Sequence, residues 1–250
     1  MFELPIIRFD DQKWLEELQK GQFYMRPSMY YQLMEEDGYV RNDPFDGSIP
    51  FPDNDKILES ISGKETVRER LLLFDRFIKC FYHCTEEDII YGSNLLKIKF
   101  SKTAIQVIKS FEKDSALVIF NPTVLRDQIA KSTEELTWCG DVQYLNEDGY
   151  RNALNSMLSN PSVSYKIPFF KPSKYSAQKE YRICVKHPFG IIDEGASCLD
   201  LSKDYIEGLS YTIDIGPIKS SCIISVNNLI KNGILYDIEK DHYYLAEEPE

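Results

Sequence analysis

The stretch FFKPSKYSAQKEYRICV, residues 169–185, decides the fold. Its end alternates: Tyr181, Ile183 and Val185 fall on one side, with Glu180 and Arg182 on the other, as in a strand with one apolar face. If the extension starts early enough, Gln178 joins the polar side. Such a strand needs sheet neighbours and an apolar layer against it. The neighbours are supplied by QFYM (22–25), CFYHC (80–84), LLKIKF (95–100), SALVIF (115–120), DVQYL (141–145), SYKIPFF (164–170) and SYTIDIG (210–216). DHYYLAEE (241–248) reads as a terminal strand or tail.

Helical patterns stand between these strands. DDQKWLEELQKG (10–21) has an Asp cap, an inner face of Trp14, Leu15 and Leu18, and Gly21 as its stop. RPSMYYQLMEEDG (26–38) has Pro27 in its first turn, and GKETVRERLLLFDRFIK (63–79) carries apolar residues near helical spacing. SKTAIQVIKSFEK (101–113), NPTVLRDQIAKS (121–132) and CIISVNNLIKNG (222–233) complete the set. The mixture lacks the regular βαβ repeat of a doubly wound sheet. It predicts an α+β protein, a single domain over 1–250, with a twisted, mostly antiparallel sheet and flanking helices.

The bulk numbers set limits. Among 250 residues, 43% are hydrophobic and 28% charged, an ordinary globular composition. The net charge of −11 favours solubility and repels an extended nucleic-acid duplex, while leaving room for a protein partner or another macromolecular acceptor. The opening MFELPIIRFDDQKW has no basic segment followed by a long apolar run, and no window approaches a membrane span. Six scattered cysteines, several in strand-like runs, read as reduced thiols. A cytoplasmic protein is the expectation.

Most chemistries that announce themselves by motif are missing. Cys80, His83 and Cys84 have no second ligand pair nearby, so no metal site is expected. Neither a nucleophile elbow nor a phosphate loop occurs. Asp141 and the Glu180-Tyr181-Arg182 run only loosely imitate a metal-dependent nuclease. Two polar constellations remain. VRNDPFDG places Arg41, Asn42, Asp43 and Asp46 about a proline, which serves a tight turn or a ligand rim. Gln178, Glu180 and Arg182 form either an ordinary strand edge or a cleft edge whose carboxylate stabilises a cationic transition state.

RNDPFDG, FFKPSKYSAQKEYRI and YTIDIGPI occur in the order of a widespread bacterial family. That family is typified by Asn-Asp-Pro-Phe-Asp/Glu and Lys…Glu-x-Glu-Tyr-Arg segments, and the chain resembles its members carried by prophages and abortive-infection loci. CTEEDIIYGSN stands where the family often has a Met-Trp-like segment. The same Gln178-Lys179-Glu180 run resembles the third motif of ADP-ribosyltransferases. That resemblance implies NAD as substrate, with no embedded cofactor. It also implies that Glu180 holds the ribose hydroxyl and stabilises the oxocarbenium ion, and that Gln178 orients the acceptor. Arg26 is the corresponding candidate for a phosphate contact, and Ser162-Val163-Ser164 imitates the middle motif. Tyr24 and Tyr175 are candidates for ring stacking, and Arg182 joins the binding set. The competing expectation is a non-catalytic inhibitor, sensor or antitoxin that binds a protein through an acidic, Tyr-rich face.

Overall fold

The computed structural model describes residues 3–33, 76–92, 95–186, 208–237, 239–240 and 242–245. Its strands are β1 (Ile6–Asp10), β2 (Gln22–Pro27), β3 (Arg76–His83), β4 (Ile89–Tyr91), β5 (Leu95–Ile98), β6 (Ser115–Ile119) and β7 (Thr137–Asp141), followed by β8 (Gln143–Leu145), β9 (Phe170–Pro172), β10 (Glu180–Lys186), β11 (Tyr211–Asp214), β12 (Ser221–Ser225), β13 (Ile234–Asp237) and β14 (His242–Leu245). The helices are α1 (Gln12–Lys20), α2 (Ser28–Leu33), α3 (Lys102–Ser110), α4 (Pro122–Ser132), α5 (Glu147–Ser159) and α6 (Val226–Asn232). This is the expected α+β architecture.

The centre is β3, an apolar run long enough to serve several partners. One of its edges is paired along its whole length with β10, from Glu180 opposite Tyr82 to Lys186 opposite Arg76, and β10 in turn pairs with β7. The other edge is shared. Ile6 and Ile7 of β1 pair with His83 and Tyr82, whereas Arg26 and Pro27 of β2 pair with Ile78 and Phe77. The eight-stranded antiparallel sheet therefore divides beside β3 into a β1–β6–β12 arm and a β2–β11 arm. A four-stranded sheet, β14-β13-β5-β4, and a parallel β8–β9 pair complete the strands.

Where the ladders part, backbone groups beside the division lack a strand partner, and buried polar groups need partners. Cations bond two carbonyls there, one on β3 and one on β2. Arg8 Nη1 donates to the Cys80 carbonyl at 3.0 Å, and Lys79 Nζ donates to the Tyr24 carbonyl at 3.0 Å. Arg8 is held in turn by Asp10 Oδ2, at 2.8 Å from Nη2. Burial would raise the Asp10 carboxyl, but Arg8 outweighs it and holds Asp10 below its usual range. Lys79 has the opposite fate: burial, with the neighbouring Arg8 charge, pushes it down to about 7.

Both sheet faces are covered. Tyr181, Ile183 and Val185 pack with Phe77, Phe81 and the inner side of α1 and α4. Across the sheet, Ile7, Phe9, Tyr82, Ala116 and Val118 meet α3 and α6. Each large apolar side chain buried this way contributes roughly 1.5–3 kcal/mol. In α1 only Leu15 and Leu18 are buried, whereas Trp14 is 56% exposed, correcting the inner face read from the sequence. Gly21 ends α1 at φ 107°, where a Cβ would run into the Gly216 carbonyl.

Four segments fold differently from their local pattern. Arg26 and Pro27, read as the first turn of a helix, end β2, and α2 starts at Ser28. RFIK, read as the end of a helix, opens β3, because both faces of that run are buried in the sheet. SYKIPFF forms the end of a 3-10 helix, Pro161–Phe169, with only Phe170 entering β9; Pro168 lacks the N–H a ladder needs. CIIS is the strand β12, and the helix starts only at Val226, where the Ser225 hydroxyl accepts from the Asn228 N–H.

Candidate functional site

The polar face of β10 is set by the chain preceding it. From Pro161 the backbone runs through the 3-10 helix, then β9, then a second 3-10 helix, Ser173–Gln178. Lys179 then takes a left-handed conformation, φ 43° and ψ 53°, and turns the chain into β10. Its ammonium is tied to Thr85 Oγ1 at 2.9 Å and to the buried Asp88 carboxylate at 3.1 Å. Gln178 therefore lies outside the strand, not in line with Glu180.

The two side chains still meet. Lys171 of β9 is 1% exposed, and its Nζ donates to Gln178 Oε1 at 2.8 Å and to Glu180 Oε1 at 3.0 Å. The other oxygen of Glu180 accepts from Arg182, from Nε at 2.9 Å and Nη2 at 2.7 Å. Arg182 is fully buried and also donates to the Pro168 carbonyl. The Glu180 backbone N–H donates to the Tyr144 hydroxyl at 2.8 Å. Burial acts to raise the Glu180 carboxyl, but Arg182 and then Lys171 prevail and hold it at about 2. At neutral pH this group is a fixed anion and neither a general acid nor a base.

The cluster forms one wall of a cavity of about 90 Å³ beside the sheet division. Arg8, Lys171, Gln178 and Glu180 supply its polar lining; Ile7, Phe9, Tyr31 and Phe111 supply an apolar one, and Cys80, Phe81 and Tyr82 lie along β3. That volume holds one ring-sized group; pockets that engulf a whole small-molecule ligand run to roughly 300–1,000 Å³. A larger hollow, about 710 Å³, lies between Glu3, Phe120, Lys219 and Tyr243, away from this cluster. There Glu3 accepts from the Thr123 N–H at the start of α4.

The remaining sequence candidates separate. Arg26 pairs opposite Ile78, while Glu180 pairs opposite Tyr82, four residues along β3 and so roughly 13 Å apart along the strand. Arg26 instead donates to the Leu209 carbonyl and lies over the Tyr24 and Tyr30 rings. Tyr24 is 40% exposed on the β2 arm. Tyr175 is near the cluster, its ring 5.5 Å from Lys171 Nζ. Ser162 to Ser164 belong to the first 3-10 helix and not to a strand. Arg41, Asn42 and Asp43 lie outside the described residues.

Sequence reading missed Arg8 and Lys171. Arg8 lay in IIRFD, a run to which no element was assigned, and Lys171 stood in the quoted FFKPSKYSAQKEYRI segment without being given a role. Besides that pattern, a lysine inside an apolar run was a signal, since such a residue is buried only with partners. Asp141 pairs opposite Tyr181 and shares its face, so it diverges from Glu180, and the two cannot hold one metal ion between them. Asp141 accompanies His83 instead, 2.5 Å from Nδ1. Cys80 and His83 likewise alternate to opposite faces of β3. No group of three His, Cys, Asp or Glu side chains suited to a metal occurs among the described residues. The five described cysteines are free thiols, and no helix among the described residues is long and apolar enough to cross a membrane.

The chain matches no protein-family profile, no curated protein and no solved structure.

Proposed function

We propose that the protein is an NAD-consuming, ADP-ribosyltransferase-like effector of the abortive-infection or prophage type, acting in the cytoplasm. One observation carries the reading. Gln178 and Glu180 converge on one ammonium at the wall of an aromatic-lined cavity, with Arg8 on the same lining.

In this reading Glu180 is the permanent anion that an oxocarbenium-like transition state requires. Its charge stabilises the ribosyl cation as the glycosidic bond breaks and the electron pair leaves with nicotinamide. The acceptor's oxygen or nitrogen then bonds to the same carbon and loses its proton; water as acceptor gives NAD hydrolysis. Gln178 orients the acceptor. Arg8 takes the anionic contact first assigned to Arg26, because Arg8 lines the cavity. Lys171 must withdraw from Glu180 Oε1 for that oxygen to meet a ribose hydroxyl.

The test is nicotinamide release from NAD by purified protein, wild type against Glu180→Asp, with cellular NAD measured during expression. Glu180→Asp keeps the charge and draws it back by one methylene. A loss of about 100-fold or more, measured on protein that circular dichroism shows to be folded at the assay temperature, is expected. No nicotinamide release, with cellular NAD equal to that of a vector control, overturns the proposal.

A second reading, a non-catalytic module binding a protein, is favoured by two features. Both Glu180 oxygens are already engaged. The β4–β5 hairpin exposes Ile90 at 52%, Tyr91 at 68% and Leu95 at 40%, apolar residues that do not line the cavity. Under this reading NAD is untouched, and Ile90→Asp abolishes the biological effect while Glu180→Asp does not.

A further inference from the structure

β7 ends the eight-stranded sheet on one side, pairing with β10 and with no other strand among the described residues. The Val142 N–H donates to the Glu180 carbonyl, and the Lys186 N–H donates to the Leu136 carbonyl. Even-numbered residues of this run therefore turn their backbone groups towards β10. Thr137, Cys139 and Asp141 point theirs outward, where no backbone or side-chain group of the described residues bonds them. The faces of the strand are occupied. Cys139 packs on the core beneath Leu125 and Ile129 of α4, and Trp138 stacks on Tyr165 of the first 3-10 helix, ring centroids 5.8 Å apart. What stays open is the edge.

A free edge is a template for another strand, and folded proteins commonly blunt such edges with Lys or Pro. Thr-Trp-Cys-Gly-Asp has neither, and its one charge, Asp141, is held by His83. The edge is also complementary to itself. Two antiparallel copies centred on Cys139 set Thr137 opposite Asp141 of the second copy, Cys139 opposite Cys139, and Asp141 opposite Thr137. These are the residues whose groups point outward, so every pair exchanges both hydrogen bonds. Sliding one copy by two residues drops one of the pairs. Between them, Trp138 faces Gly140 of the second copy, and Leu136 faces Val142. A Cβ on Gly140 would meet nothing within 4 Å, which leaves room for the indole, and Leu136, 60% exposed in the single chain, becomes covered. An aromatic ring across from an edge glycine is a stabilising pair in sheets, and no like charges stand opposite one another.

We propose that β7 is a docking edge for a second copy of this chain, and that two chains pair antiparallel through it about a two-fold axis beside Cys139, joining their sheets into one. The same edge is consumed on both copies, so association stops at two chains. None of residues 136–142 lines either hollow, and the pairing therefore stands apart from the proposed chemistry.

The test is sedimentation velocity on the full chain from about 1 to 100 μM. Salt is held at about 0.15 M, where repulsion between two chains of net charge −11 is screened beyond about 8 Å. Wild type is expected to pass from monomer to dimer over that range. Gly140→Lys, whose Cβ has room in the single chain, sets an ammonium where the indole of the second copy packs, and should weaken the dimer about 100-fold. Thr137→Pro removes one outward N–H and no bond to β10, and should weaken it about tenfold. Circular dichroism checks that both variants are folded. Hydrogen exchange in the peptide carrying β7 should slow about tenfold as wild type is concentrated, and should not change in Gly140→Lys. A chain that remains monomeric throughout overturns the proposal, as does a dimer that both variants leave equally tight. So does a dimer in which β7 exchange is unchanged, and so does growth beyond two chains.

Discussion

Glu180→Gln probes the charge cluster directly. A carboxyl that titrates at 4.5 when unconstrained and at about 2 in the folded protein represents about 3 kcal/mol of stability at neutral pH. The geometry leads to a similar figure independently. Removing the anion strands Arg182, 0% exposed, and Lys171, 1% exposed, without a counter-charge, and breaking a buried pair this way costs about 3–5 kcal/mol. The glutamine carbonyl can still accept one bond, so the lower end, about 3 kcal/mol, is the expected loss at pH 7. Urea denaturation followed by circular dichroism, repeated down the pH scale, measures it. The folded-state titration is depressed, so the contribution is complete above pH 4.5 and disappears as the pH falls towards 2. Wild type and variant should therefore converge in acid. Adding Lys171→Met to the variant should recover part of the loss, because it removes one of the stranded cations. A loss below about 1 kcal/mol, or a gap that persists unchanged to the lowest pH, would refute the view of Glu180 as the counter-ion of two buried cations.

Lys79→Met should stabilise the protein by about 3 kcal/mol at pH 6, net of the bond to the Tyr24 carbonyl. Because Lys79 titrates near 7 when folded and near 10.5 when unfolded, its burial penalty is complete below 7 and relieved by 10.5; the advantage of Met should fade over that interval when urea midpoints are compared. Gly21→Ala combines a left-handed φ with a collision against the Gly216 carbonyl, and should cost about 2 kcal/mol or more, seen as a drop in Tm of several degrees.

The sequence made β10 legible because its apolar side alternates without interruption, and Tyr181, Ile183 and Val185 do face the core. The other side was left open between a strand edge and a cleft edge, for a physical reason. Alternation distinguishes two faces but does not say that the polar one is wet, and here residues 161–178 cover it and bury Arg182 completely. The stop at Gly21 was readable as local chemistry, whereas RFIK and CIIS depended on a sheet formed by distant segments. The convergence of Gln178 and Glu180 could be suspected from their proximity. Lys171 stood in the same quoted segment, but its role in uniting them was not readable, since it is brought there by β9 pairing with β8 and by the left-handed turn at Lys179.

The shared edge of β3 also bears on the dynamics of the molecule. On the β10 side β3 belongs to one continuous ladder, while on the other it is held by two short ones, at Ile78 and at Tyr82. The β2–β11 arm and the β1–β6–β12 arm share β3 as a spine and are tied together besides by α1, which packs on β2, β6 and β12, so the amide protection of each depends on that helix as well as on its own ladder. The cavity lies where they part, with Tyr31 following the first arm and Ile7, Arg8 and Phe9 on the second. Hydrogen exchange measured arm by arm would report how a ligand entering there changes each of them.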